Sequence, residues 1–323
     1  MRHRALPAEA PGRREIAAAE RTLRRYASVT PLIPSAMGKG NGFLKLETLS
    51  PTGSFKWRGV LYRMLRLSRA RLNGGVVTAS TGNHGFAVGW AAANLGAPAT
   101  VVVPHGTPTF KQDRIKTTGA QVIVSGTTWN DSLLVARDIA QRDGSTPIED
   151  GADPILMAGT ATLGWEILKQ LPNMGAVVAP VGGGNLIAAL ACALEADGSG
   201  AKLIGVQSSA ARGAYDSWKK GRILARPVKT IAGGIATAGP VPFSFEIMRR
   251  RVDAMHLVSD RQMLRAVGRL ATMDGIVAEP SGAAPVAALP GLRLARNASV
   301  ALVVTGRSIE GSTLTRAIRD VEA

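Results

Sequence analysis

Three observations predict an α/β fold built on largely parallel sheets. Short apolar runs rich in valine recur along the chain, segments of helical character separate them, and Gly, Ser, Thr and Asn gather in the turns that follow the runs. Strands alternating with helices in this way form βαβ units. The first run covers residues 75–79. It leads into Ser80-Thr-Gly-Asn-His-Gly85 and then an alanine-rich helix ending near Gly96. The next strand is predicted at 99–104, a helix at 109–119 closed by its glycine, a strand at 121–125 and a helix from about Trp129. The unit returns at 176–181, with a helix from about Asn185. Further strands are predicted at 202–207, 254–258 and 300–304. In such sheets ligands bind at the carboxyl ends of the strands.

The chain has 323 residues, 46% of them hydrophobic, enough for a sizeable core and about two domains. Cys192 is the only cysteine, which excludes an intrachain disulfide and a four-cysteine zinc site. Against 23 Asp+Glu stand 39 Lys+Arg, a net charge of +16. That balance suggests a nucleic-acid or anionic-membrane partner only if the cations cluster. The first 25 residues mix Arg2, Arg4, Arg13, Arg14, Arg21, Arg24 and Arg25 with Glu9, Glu15 and Glu20, the pattern of a solvated helix. No apolar segment follows those arginines, so no secretory signal is read and a cytoplasmic protein is expected. Residues 170–194 carry no charge, but Pro172, Pro180 and Gly182 to Gly184 break the stretch into strand, turn and helix, against a membrane span. Residues 48–112 hold no acid but do hold Lys56, Arg58, Arg63, Arg66, Arg69, Arg71 and Lys111. Arg63 to Arg71 read as a solvated basic face; the alternative is a site that holds anions. Aromatic residues are 4% of the chain, too few for the stacking surface of a nucleic-acid binder.

Three turns carry candidate chemistry. In Ala179-Pro-Val-Gly-Gly-Gly-Asn-Leu186 a strand feeds three glycines and a helix N-terminus, so several N–H groups can aim at one phosphate. The spacing matches neither a nucleotide P-loop nor a dinucleotide site; a tight strand-to-helix turn is the plainer alternative. Ser80-Thr-Gly-Asn-His84 offers hydroxyls, an amide and N–H groups to a carboxylate, or an ordinary helix cap. Lys56, between Phe55 and Trp57, can be desolvated and so freed as a nucleophile for a Schiff base, or it is a surface lysine.

Taken in order, Ser-Phe-Lys56-x-Arg-Gly, Ser-Thr-Gly-Asn-His-Gly and Gly-Gly-Gly-Asn resemble the pyridoxal-phosphate enzymes of fold type II, the tryptophan synthase β-like fold. Within them the chain is most similar to the serine/threonine dehydratases and serine racemases, from about Thr30 to its end. Ala158-Gly-Thr-Ala-Thr-Leu-Gly-Trp-Glu-Ile-Leu168, Glu279-Pro-Ser-Gly282 and Val303-Val-Thr-Gly306 add to the match. The resemblance implies two domains, each a mostly parallel twisted sheet flanked by helices: residues 1–65 with 151–323, and a smaller inserted domain at 66–150. It implies pyridoxal 5'-phosphate as cofactor, an amino-acid substrate and a homodimer, with no nucleic acid or membrane as partner.

The same resemblance implies roles. Lys56 forms the Schiff base and moves protons. Gly182, Gly183, Gly184, Asn185 and Leu186 bind the phosphate, and Asn83 the ring 3'-oxygen. Ser80, Thr81, Gly82 and His84 hold the substrate carboxylate. Thr305 faces the pyridine nitrogen, and Glu279 lies near the ring. A hydroxyl at that nitrogen makes the ring a weaker electron sink than a carboxylate would, which favours β-elimination over transamination. The expected activity is dehydration and deamination of threonine or serine. A threonine-synthase-like or cysteine-synthase-like replacement and racemisation are the alternatives.

Two departures qualify the match. Gln207 and Gly213 stand where metal-binding relatives carry acids, so no divalent metal is expected there. The turn Thr305-Gly306-Arg307-Ser308 replaces Ser-Gly-Gly-Asn and brings a cation to the cofactor edge. Arg212, Arg307 or Tyr215 is a candidate reader of a distal carboxylate, as on hydroxyaspartate; the alternative is that each is simply solvated. After residue 304 the sequence has no room for a C-terminal regulatory domain, so feedback by isoleucine is not expected.

Overall fold

A computed structural model describes residues 4–38, 41–293, 295 and 297–322; of the N-terminal cations named above, Arg2 lies outside them. Helix α1 (Arg13–Leu23) turns Ile16, Ala19 and Leu23 onto the core and leaves Arg13, Arg14, Glu15 and Arg21 in solvent, while Glu20, half-buried, accepts from Lys169 at 2.6 Å. Strands β1 (Leu32–Pro34) and β2 (Gly42–Leu46) follow, then helices α2 (Lys56–Leu65) and α3 (Arg69–Asn73). The basic segment predicted as a solvated face is solvated at Arg66, Arg69 and Arg71, while Arg63 pairs with Asp153.

The next units are β3 (Val76–Ala79), α4 (Asn83–Leu95), β4 (Ala99–Val103), α5 (Thr109–Lys116), β5 (Gln121–Val124), α6 (Trp129–Asp143) and β6 (Thr146–Pro147). Helix α5 stops three residues short of the glycine expected to close it, because Thr117 and Thr118 turn their hydroxyls onto the carbonyls of Arg114 and Ile115. The strands pair in parallel in the order β5-β4-β3-β6. Every residue of β3 is buried, as a parallel strand covered on both faces requires.

The chain continues through α7 (Pro154–Gln170), β7 (Ala176–Pro180), α8 (Asn185–Asp197), β8 (Lys202–Ser208), α9 (Gly213–Lys220), α10 (Pro242–Arg251) and β9 (Ala254–Val258). It closes with α11 (Asp260–Met273), α12 (Pro280–Ala288), β10 (Val300–Val304) and α13 (Gly311–Glu322). The second sheet runs β1-β2-β10-β7-β8-β9; only the β1–β2 pair is antiparallel. The uncharged stretch singled out in the sequence covers the last residue of α7, the loop to β7, β7 itself and α8 as far as Leu194, and Asn185 to Leu194 are all buried. Among the described residues no helix is long and apolar enough to cross a membrane.

A polar cluster sits inside this core. Arg58, 1% exposed, sends Nε and Nη2 to the two carboxylate oxygens of Glu47, both at 2.9 Å, and reaches Glu166 through Nη1 at 2.9 Å and Nη2 at 2.8 Å. Lys45 Nζ donates to Glu166 at 2.8 Å, to the Thr30 carbonyl at 2.7 Å and to Gln170 at 2.8 Å. Strand β2, helix α2 and helix α7 are thereby tied together, and α2 and α7 approach so closely that a Cβ on Gly159 would lie 2.5 Å from the Arg58 carbonyl oxygen.

Candidate active site

Lys56 opens α2, and the preceding loop fixes where it points. Ser50 and Thr52 both donate their hydroxyls to the Ser54 carbonyl, at 2.8 and 3.1 Å. Ser54 bridges to Gly306, the Phe55 N–H reaches the Thr305 carbonyl at 3.1 Å, and the Arg307 N–H reaches the Gly53 carbonyl at 3.0 Å. The lysine is thus fastened to the turn after β10. Its ammonium pairs with Asp150 and lies 4.8 Å from the Phe55 ring centre. Burial pushes the Asp150 carboxyl up, but the Lys56 charge and the hydrogen bonds from Lys56 and Asn185 outweigh it and hold the group below its usual range.

Asp150 also joins Lys56 to the glycine turn after β7, since Asn185 Nδ2 donates to its other oxygen at 2.9 Å. Gly184 sits at φ +98°, and a Cβ there would lie 2.6 Å from Met248 Sδ. Gly182 has the Gly234 carbonyl 3.1 Å from its Cβ position, with Thr237 close by. The Thr237 hydroxyl and the Asn185 carboxamide oxygen are buried, with no hydrogen-bond partner among the described residues. A concave run of glycines, an orphaned hydroxyl and the N-terminus of α8 fit a phosphate group. Leu186 itself is core, 5% exposed, so only its backbone is free to contribute. We expect Gly184→Ala to weaken cofactor retention at least about 10-fold, because an L-residue at this φ is strained and its methyl would stand 2.6 Å from Met248 Sδ and 3.1 Å from Ser244 Cβ, so the turn itself must shift. Fluorescence titration of the apoprotein with pyridoxal phosphate measures it, and an unchanged Kd refutes the cradle.

The third turn follows β3. Ser80 and His84 are buried, and Thr81, Gly82 and Asn83 are half-buried. Asn83 Nδ2 donates to Glu279 Oε1 at 2.6 Å, and its Oδ1 accepts from Arg114 Nη1 at 3.2 Å. The His84 ring meets the Ile148 carbonyl at 2.8 Å through Nε2, and burial lowers its pKa, which keeps the imidazole neutral. Glu279 is pushed up by burial, against the pull of Asn83 and of Lys111, Arg114 and Lys56. Its N–H reaches the Gly306 carbonyl at 2.9 Å, and Thr305 is buried beside it.

The site residues expected from the sequence therefore stand at the ends of three strands, β3, β7 and β10, and at the starts of four helices, α2, α4, α8 and α12, linked through Asp150 on one side and Glu279 on the other. Asp150 and Arg114 were not expected. Asp150 closes the turn after the two-residue strand β6, and that position, a carboxylate at a strand's carboxyl end, was its only signal. Arg212 stands apart, paired with Asp216 at 2.9 Å and exposed. Gln207, placed where a metal-binding acid was expected to be missing, accepts from the Tyr215 N–H at 2.8 Å.

Comparison with known proteins gives a consistent picture. The family model described as pyridoxal-phosphate dependent enzyme matches residues 23–306. An L-threonine ammonia-lyase of Thermotoga maritima is 35% identical over 311 residues, covering 94% of this chain and 77% of the relative. A solved threonine deaminase, from the organism abbreviated T.th., superposes with a TM-score of 0.86 at 37% identity, over 93% of this chain and 99% of that one. Maize serine racemase does so at 0.88 and 26%, over 96% and 97%.

Proposed function

The chain belongs to the family of pyridoxal-phosphate dependent enzymes, a lyase working by β-elimination, and we propose that its substrate is threonine or serine. The observation that carries this is the single cluster in which Lys56, Asp150 and the Gly182–Asn185 cradle meet. Bound pyridoxal phosphate supplies the electron sink that makes the Cα proton removable. Gly182, Gly183, Gly184, Asn185 and the Leu186 backbone would hold its phosphate, Lys56 its carbonyl carbon, and Asn83 the ring oxygen. Thr305 would offer the ring nitrogen a hydroxyl.

The chain's own groups then have distinct tasks. Lys56 takes the Cα proton. The Cβ–O bond breaks, and the leaving hydroxide takes a proton back from the Lys56 ammonium and departs as water. The resulting enamine hydrolyses to a 2-keto acid and ammonia. Ser80, Thr81, Gly82 and the N-terminal N–H groups of α4 would grip the substrate carboxylate, while neutral His84, bound to the Ile148 carbonyl, shapes that loop. We also propose that residues 66–150 form a small domain carrying the carboxylate grip and that 1–65 with 151–323 carry the cofactor.

The test is a keto-acid assay on cofactor-loaded protein. Threonine is expected to give 2-oxobutanoate and serine pyruvate, each with one equivalent of ammonia. No keto acid from either, with the cofactor demonstrably bound, overturns the substrate assignment.

A further inference from the structure

Arg307 leaves the turn after β10 toward the loop that precedes Lys56. A Cβ on Gly53 would lie 2.9 Å from Arg307 Nε and 3.5 Å from Arg114 Nη2. Two guanidiniums from different elements, the β10 turn and α5, thus converge on one glycine. Arg114 is fixed in place: it donates to Asn83 Oδ1 and, at 2.7 Å, to the Thr52 carbonyl, and it lies 4.3 Å over the Phe86 ring. No carboxylate pairs with the Arg307 side chain among the described residues. Both arginines line a cavity of about 340 Å³, walled by Pro51, Phe86, Phe110 and Ile309.

Arg307 is exposed at the mouth of the cavity and Arg114 is partly buried within it, so solvent screens part of the repulsion between the two like charges. Burial lowers the pKa of Arg114; Glu279 pulls it back up, and Arg307 lowers it by less than Glu279 raises it. Glu279 does not fill the gap, because its carboxylate is bonded to Asn83 Nδ2. Asp113 of α5 is turned to Lys116 at 3.1 Å. A planar anion between the two forks would relieve the repulsion and take several parallel hydrogen bonds, the geometry in which guanidinium groups bind carboxylates best.

We propose that this cavity is a second anion site, in which Arg114 and Arg307 hold a carboxylate next to the residue at the ring edge, Asn83. That carboxylate comes either from a free dicarboxylate or from the far end of a dicarboxylic substrate such as 3-hydroxyaspartate. The second source rests on the lyase function proposed above; the site itself does not.

Calorimetric titration of the holoenzyme with succinate tests the site independently of turnover. Succinate is expected to bind, with Kd rising at least about 10-fold in Arg307→Gly and less in Arg307→Lys, and unchanged in Arg212→Ala. A kinetic arm compares 3-hydroxyaspartate with threonine. If the carboxylate is the substrate's own, succinate competes with 3-hydroxyaspartate, and Arg307→Gly lowers the ratio of its kcat/KM to that of threonine at least about 10-fold, chiefly through KM. If it is a free anion, succinate binds without competing and the ratio holds. Succinate binding and the kinetic ratio both indifferent to Arg307→Gly overturn the proposal.

Discussion

Lys56→Ala is expected to stop keto-acid release, lowering kcat by about 10³-fold or more, since it removes both the covalent anchor and the group that takes the Cα proton. The variant should still fold. Lys56 contributes little to the core: its side chain is 17% exposed and its partner Asp150 keeps the hydrogen bond from Asn185. Arg58, two residues on, holds α2 in place without it. The melting temperature is therefore expected to stay within a few degrees of wild type, while the visible absorbance of covalently held cofactor is lost. Lys56→Arg separates two explanations. Arginine keeps a cation opposite Asp150 but cannot anchor the cofactor, so it should be as inactive as alanine. Turnover retained in either variant removes Lys56 from the mechanism.

The strands that run inside the sheets were legible because a parallel strand is buried on both faces and reads as an unbroken apolar run. β7 and β10 are wholly of this kind, β3 and β4 are so but for one threonine each, and β8 is so over its apolar middle, Leu203 to Val206. β1, three residues at a sheet edge, and β6, two residues long, carry too little apolar pattern to announce themselves. Helix α2 was hidden for a different reason. Its arginines suggest solvent, yet Arg58 is buried because its charge is answered by Glu47 and Glu166, 11 and 108 residues away. Charge pairing at that range leaves no local trace. The same holds for Arg114, which meets Thr52 across 62 residues. The candidate site was legible through its order of motifs, whereas Asp150, which sits at its centre, belongs to none of them.

The buried cluster around Arg58 gives the largest expected effect on stability. Arg58→Ala would leave Glu47, 0% exposed, and Glu166, 4% exposed, facing the vacated space. Removing one partner of a buried ion pair costs about 3–5 kcal/mol, because the remaining charge keeps its burial penalty and loses its compensation. Lys45 still serves Glu166 in the variant, but burial holds Lys45 itself below its ordinary pKa, so it is a weaker substitute. The loss should depend on pH in a defined direction. In the wild type, burial pushes Glu166 up, and Arg58 and Lys45 pull it down further, so its folded pKa lies below the ordinary 4.5. Its contribution is therefore fully present above that value and is lost as pH falls through the lower folded pKa. In Arg58→Ala the burial effect gains on the charge effect, the folded pKa of Glu166 rises, and acid no longer destabilises through this group. Wild type and variant should thus differ most at pH 7–8 and converge as pH falls below about 5. Urea unfolding at the two ends of that range measures the gap. A gap under about 1 kcal/mol at pH 8, or one that widens on acidification, would mean that the cluster is not what fixes α2, and with it Lys56, to β2 and α7.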